Sequence, residues 1–224
     1  VTNPAALFDL DGTLTESGPG IIASVRHAAA ALGHTIDPAE DLSWVIGPPL
    51  ETLMQRVLAP FGDTRLSEAM AAYRADYGTA GLFNSRVYPG IEAALDGFRA
   101  AGWRMFVATS KRGDFARRIL QHFGLADRFR GIYGSDGAGA LAQKSDLIRH
   151  ILHREALRPA ATVMIGDRSY DIDGARANGV KGIGVAWGYG QNGELHEAGA
   201  DAIADTPADL LAVANAQLHN GKSA

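Results

Sequence analysis

The tightest constraint on this chain lies near its start, where the apolar run Ala5–Phe8 stops abruptly in Asp9-Leu10-Asp11-Gly12-Thr13-Leu14. A short continuous apolar run reads as a buried strand. One that ends in carboxylates delivers them to a sheet edge, where open α/β proteins build their sites. Burying two anions there without a partner is very costly. A cation, or a reaction that uses their charge, is the natural reason to put them there.

The rest of the chain repeats the strand signal. Apolar runs at Arg104–Ala108, Gly131–Tyr133, Thr162–Ile165 and Lys181–Val185 alternate with helical patterns at Gly90–Ala101, Asp114–Phe123, Lys144–Leu157 and Asp171–Asn178. Such alternation predicts a doubly wound α/β fold, a parallel sheet with helices on both faces. Residues 17 to 86 break the pattern. They hold no convincing strand, but helical segments at Ile21–Leu32, from Asp37-Pro38, at Leu50–Leu58 and at Ser67–Tyr77. The expected organisation is a core of residues 1–16 and 87–224 with an inserted helical cap over 17–86. The alternative is that these helices form part of the sheet's outer layer.

Bulk properties exclude several classes. With 224 residues the chain has room for one core, or a core plus a smaller domain. A net charge of -4 and a pI near 6.0 provide no basic field, so no nucleic-acid partner is expected. There is no cysteine, hence no disulfide or thiolate metal site, which fits a cytoplasmic location. No apolar run approaches the roughly 20 residues that span a bilayer, and the first residues do not read as a secretion signal. The segment after Leu218 is polar and is expected to fray.

Three further sites carry chemistry-bearing residues: Thr109-Ser110-Lys111 after Val107-Ala108, Gly166-Asp167 after Val163-Met164-Ile165 with Asp171 four residues on, and Lys144 opening a helix after the glycine-rich stretch Gly134–Gly139. Parallel strands bring these residues to one edge with Asp9 and Asp11. Each alone has a duller reading. Asp-x-Asp-Gly also starts calcium loops, but those need Glu at about the twelfth position, and counting from Asp9 reaches Gly20. Thr109-Ser110 suits a helix cap, Asp167 and Asp171 a helix start, and Lys144 a solvated surface. Their joint occurrence at strand ends favours a site.

In these four motifs, taken in order over about residues 5 to 205, the chain resembles the phosphatases of the haloacid dehalogenase superfamily, in the phosphoglycolate phosphatase-like branch. The resemblance implies the fold read above, with a helical cap. It further implies a Mg²⁺-dependent phosphomonoester hydrolase for a small phosphorylated metabolite such as phosphoglycolate, a sugar phosphate or a nucleotide. Asp9 would be the nucleophile, and Asp11 the acid that protonates the leaving oxygen and then activates water. Mg²⁺ would be ligated by Asp9, the backbone carbonyl of Asp11, and Asp167, with Asp171 close behind. Thr109 through its hydroxyl and Ser110 through its backbone N–H would hold phosphoryl oxygens, Lys144 would add fixed positive charge, and Gly12 would let the backbone approach the phosphate. A phosphosugar mutase and a non-catalytic phosphate-binding regulatory protein are the competing readings. A monomer or homodimer is expected. Substrate choice would fall to what covers the pocket: the Glu16–Gly20 hinge, the turn Gly47-Pro48-Pro49-Leu50, and cations such as Arg26, Arg56 or Lys111.

Overall fold

The computed structural model describes residues 3–135, 141 and 143–219. Six parallel strands form the main sheet in the order β5-β4-β1-β6-β7-β8: β1 (Ala5–Phe8), β4 (Arg104–Arg112), β5 (Gly131–Ser135), β6 (Thr162–Gly166), β7 (Lys181–Val185) and β8 (Ala202–Ala204). β1 lies at the centre, with Phe8 level with Val107 of β4 and Ile165 of β6. Side chains alternate between the two faces of a strand. Ala6, Phe8, Val107 and Ile165 therefore point to one layer, where α4 (Ile91–Ala100), α5 (Gly113–His122) and α9 (Leu210–His219) contribute Phe98, Ile119 and Leu210. Leu7, Phe106 and Met164 point to the other, against Leu147, Ile148 and Ile151 of α6 (Lys144–Arg154) and Ala175 of α7 (Ser169–Ala177). Both faces are buried, so the central strands are continuously apolar. Phe8 meets Phe98 and Phe129 edge-on at 5.4 and 6.0 Å, the favoured aromatic geometry.

Between β1 and β4 the chain leaves and returns through a small antiparallel pair, β2 (Thr15–Glu16) with β3 (Arg86–Val87). Between those strands lie α1 (Gly18–Ala31), α2 (Leu50–Leu58) and α3 (Leu66–Asp76), the last running on into a π-helical turn over Tyr77–Gly81. Pro19 sits in the first turn of α1, where its missing N–H costs nothing. Ser24 of α1 donates to Asp76 at the end of α3 (2.6 Å), and Val25, Met54 and Tyr77 of these helices join the same apolar cluster as Phe8.

Asp37-Pro38 does not open a helix. The Asp37 carboxylate accepts from the Ala39 N–H two residues on (2.8 Å), a local turn that competes with helix capping. Arg26 then fixes that turn, donating to the carbonyls of Ile36, Asp37, Pro38 and Glu40 at 2.8–3.3 Å. Arg26 is thereby removed from the candidates for a substrate contact. Arg56 stacks on Trp44, its guanidinium 4.0 Å from the ring centroid. The glycine-rich stretch from residue 136 to 140 and the segment from 220 on lie outside the described residues. No described helix is long and apolar enough to cross a membrane.

Candidate active site

The register of the sheet assembles the acidic site. Asp9 follows Phe8 and donates its N–H to the carbonyl of Ile165 (2.9 Å), one residue beyond the pairs that Phe8 makes with Val107 of β4 and Ile165 of β6. Thr109 lies within β4, just past Ala108, and Asp167 immediately follows β6. Asp171 sits in the first turn of α7, where its carboxylate accepts from the Arg168 N–H (3.2 Å). Oxygens of Asp9, Asp167 and Asp171 fall within 4.8 Å of one another, and all three residues are buried.

Lys144, the first residue of α6, reaches into this cluster. Its Nζ lies 2.8 Å from Asp9 Oδ1 and 2.7 Å from Asp171 Oδ1, and donates to the Ala108 carbonyl at 2.9 Å. Burial disfavours the charged form of Lys144, but Asp171 and Asp9 outweigh it and hold the ammonium above its ordinary range. Asp9 is pushed up to about 7, by burial first and by Asp171 and Asp11 next, against the lowering influence of Lys144. Asp167 is driven well above the usual carboxylate range by burial and by the charges of Asp9 and Asp171, although the Tyr189 N–H and Arg168 oppose this.

Three clustered carboxylates against one ammonium leave a formal excess of two negative charges in a dry site. A divalent cation with oxygen ligands matches that excess, so the residues present fit Mg²⁺. The surrounding loops also hold Asp167 in place: Oδ1 accepts from Thr13 Oγ1 (3.3 Å) and Oδ2 from the Tyr189 N–H (2.8 Å). Gly12 has a positive φ of 85°, and a Cβ there would lie 2.1 Å from Asp167 Oδ2. The close approach that demands this glycine is thus to the Asp167 carboxylate. Gly188 is needed for the same reason, since its Cβ would lie 2.2 Å from that of Asp167.

Asp11 faces the other way. Its Oδ2 pairs with Lys111 Nζ at 2.9 Å, and its Oδ1 is buried without a hydrogen-bond partner among the described residues. Lys111 also donates to the hydroxyl of Tyr77 from the helical stretch, and packs over that ring 4.4 Å from its centroid. Asp9, Asp11, Thr109, Ser110 and Lys111 line one cavity of about 360 Å³. Tyr73, Tyr77, Leu50 and the turn Gly47-Pro48-Pro49 form part of its other walls. Thr109 is buried, and its Oγ1 accepts from the Lys111 N–H (3.2 Å), which leaves its own O–H to donate elsewhere.

Several contacts at the site had no local signal in the sequence. Arg168, inside the Gly-Asp-Arg motif, donates to both oxygens of Glu194 (3.0 and 3.3 Å) in α8 (Glu194–Glu197) and to the carbonyl of Ile46. It ties the loop that carries Asp167 to the turn that lines the cavity. The Tyr189 hydroxyl accepts from the N–H of Gly18 (2.7 Å), and Trp187 anchors its loop by donating to the Thr13 carbonyl (3.1 Å).

Known proteins resemble this chain in sequence and in fold. The family described as haloacid dehalogenase-like hydrolase matches residues 6–185. A 5'-nucleotidase of Pseudomonas aeruginosa is 43% identical over 192 residues, 86% of each chain. The tyrosine-protein kinase PtkA of Mycobacterium tuberculosis is 42% identical over 186 residues, 83% of this chain but only 62% of PtkA's own length. A predicted phosphatase from Clostridium acetobutylicum superposes with a TM-score of 0.87 at 35% identity, over 97% of this chain and 100% of the other.

Proposed function

Because the chain belongs to the haloacid dehalogenase-like hydrolases, with relatives named phosphoglycolate phosphatase, we propose that it is a Mg²⁺-dependent phosphatase of small phosphomonoesters that works through an aspartyl-phosphate on Asp9. The observation that carries this reading is the meeting of Asp9, Asp167, Asp171 and Lys144 at one buried sheet edge, beside a cavity shared with the Asp11–Lys111 pair.

Asp9, Asp167 and the backbone carbonyl of Asp11 would hold Mg²⁺, with Asp171 behind them, and the ion supplies the positive charge that lets an anionic nucleophile approach an anionic phosphoryl group. Lys144 grips Asp9 Oδ1 and so presents Oδ2 for attack. As the Oδ2–phosphorus bond forms, the bond from phosphorus to the leaving oxygen breaks, and Asp11 gives that oxygen its proton. Asp11 then takes a proton from water, whose oxygen attacks phosphorus. The Asp9–phosphorus bond breaks, releasing inorganic phosphate and restoring both carboxyl groups. Thr109 donates its free O–H, and Ser110 its N–H, to phosphoryl oxygens as charge shifts onto them. The helices over 17–86 act as the cap that shields this exchange from bulk water.

The test is release of inorganic phosphate from p-nitrophenyl phosphate and from a panel of phosphorylated metabolites. Hydrolysis that stops in excess EDTA and returns with Mg²⁺ is expected. Conversion of a sugar phosphate to its positional isomer without phosphate release would instead assign a mutase.

A further inference from the structure

The cations around the cavity differ in one respect. Lys111 is paired with Asp11 at 2.9 Å. Arg112 is paired with Asp114 through two bonds of 3.0 and 2.8 Å. Lys144, beneath the cavity floor, is shared between Asp9 and Asp171. Arg74 of α3 also lines the cavity, yet it makes no hydrogen bond or ion pair among the described residues, and its Nε–H is buried and unsatisfied. A buried guanidinium N–H without an acceptor is a cost the fold bears at few places. Guanidinium is also the group best matched to carboxylate or phosphate oxygens.

We propose that Arg74 is a specificity determinant that binds a second anionic group, a carboxylate or a phosphate, on the leaving-group portion of the substrate. The inference rests on the phosphatase reading and narrows it to phosphomonoesters whose alcohol carries another anion. Apolar residues that line the same cavity, Met70 and Leu53 among them, strengthen a charge contact made beside them. Besides Asp9 and Asp11, Glu51 is the carboxylate among the described residues that line the cavity. It is exposed at the start of α2, where solvent screens its repulsion. Thr109, Ser110 and Lys144 remain the phosphoryl-binding set, so the cavity would hold two anions at separate places.

The experiment compares esters matched in size, 2-phosphoglycolate against 2-hydroxyethyl phosphate and a sugar bisphosphate against its monophosphate, by kcat/KM with Mg²⁺. Wild type should favour the anionic member of at least one pair. Arg74→Met should cut that preference by about 10–100-fold, chiefly through KM, as expected for one charge-assisted contact. Arg74→Lys should keep part of it. The pair that responds identifies the anion as carboxylate or phosphate. A wild-type preference for neutral esters in both pairs, or a preference unchanged within about threefold in Arg74→Met, would overturn the proposal. If Arg74→Met does not fold, the wild-type preference and the Arg74→Lys ratio decide it. Failure of wild type to release phosphate from any ester would instead defeat the phosphatase reading.

Discussion

The two ends of the cavity are built on different principles. At the sheet edge, buried carboxylates surround Lys144, strand ends set Asp9 and Asp167 while the first turns of α6 and α7 set Lys144 and Asp171, and loops close over Asp167 so tightly that Gly12 and Gly188 leave no room for a side chain. On the helical side the walls include Leu50, Leu53, Met70, Tyr73 and Tyr77, and Arg74 has no partner among the described residues. Chemistry common to every phosphomonoester needs the first kind of surface, because charge must be placed to within a fraction of an ångström before the reaction begins. Recognition of one alcohol among many needs only the second. The two ends meet at Lys111, which belongs to the sheet but touches both Asp11 and Tyr77 of the helical stretch.

This contrast breaks if substitutions at the two ends have similar consequences. Among substitutions that keep the Asp9 nucleophile, the largest expected effect is that of Asp11→Asn, which should lower kcat by about 10²–10⁴-fold for every ester, as loss of an acid/base group does. A drop confined to some substrates would move Asp11 to the recognition side. Next comes Lys144→Met, which strands buried carboxylates without their ammonium. Urea unfolding in EDTA at pH 8 should show a loss of about 3–5 kcal/mol, and a loss under 1 kcal/mol would mean that the cluster is not electrostatically strained.

Magnesium should act on stability in a pH-dependent way. In the metal-free protein Asp9 is raised from 3.8 to about 7 and Asp167 lies well above its ordinary range, so the native state keeps protons that the unfolded state has released. The stabilisation these groups contribute is complete below about pH 4 and fades as pH climbs through the folded-state values. Mg²⁺ requires the ionised forms and reverses the trend, with a gain of about 2–3 kcal/mol at a hundredfold excess over Kd. The shift in Tm on adding Mg²⁺ should therefore be larger at pH 8 than at pH 5; equal shifts would place the ion elsewhere. The smallest effect belongs to Tyr77→Phe. It removes one hydrogen bond to Lys111 but leaves the Lys111–Asp11 pair, and steady-state kinetics should change by less than about tenfold.

The same contrast explains what the sequence discloses. Asp9 and Asp167 were legible because a short apolar run that ends in a carboxylate fixes both the strand and the place where it ends, and Asp171 by its place four residues after Asp167. β1, β6 and β7 follow their apolar runs to within a residue. Lys144 was legible only in company, since nothing within its own helix distinguishes it from a solvated lysine. Asp37-Pro38 misled because a capping residue and a turn residue look alike until Arg26, eleven positions earlier, is seen to hold the turn. β8 is three residues, two half-buried and one buried, too short to set a period, and α9 is announced only by the capping box that Thr206 and Asp209 form ahead of it. The pairing of Lys111 with Asp11, the tether from Arg168 to Glu194 and Ile46, and the isolation of Arg74 have no signature at all. Each depends on which distant segment fails or succeeds in supplying a partner, and that is decided by packing of the helical stretch against the sheet.

The central claim is that Asp9 takes up the phosphoryl group, and acid-quench mass spectrometry during turnover with Mg²⁺ tests it most directly. The account predicts one added phosphoryl group on the peptide that contains Asp9, absent from Asp9→Asn, which should release no phosphate. Undiminished turnover by Asp9→Asn, or label on a different residue, would contradict it.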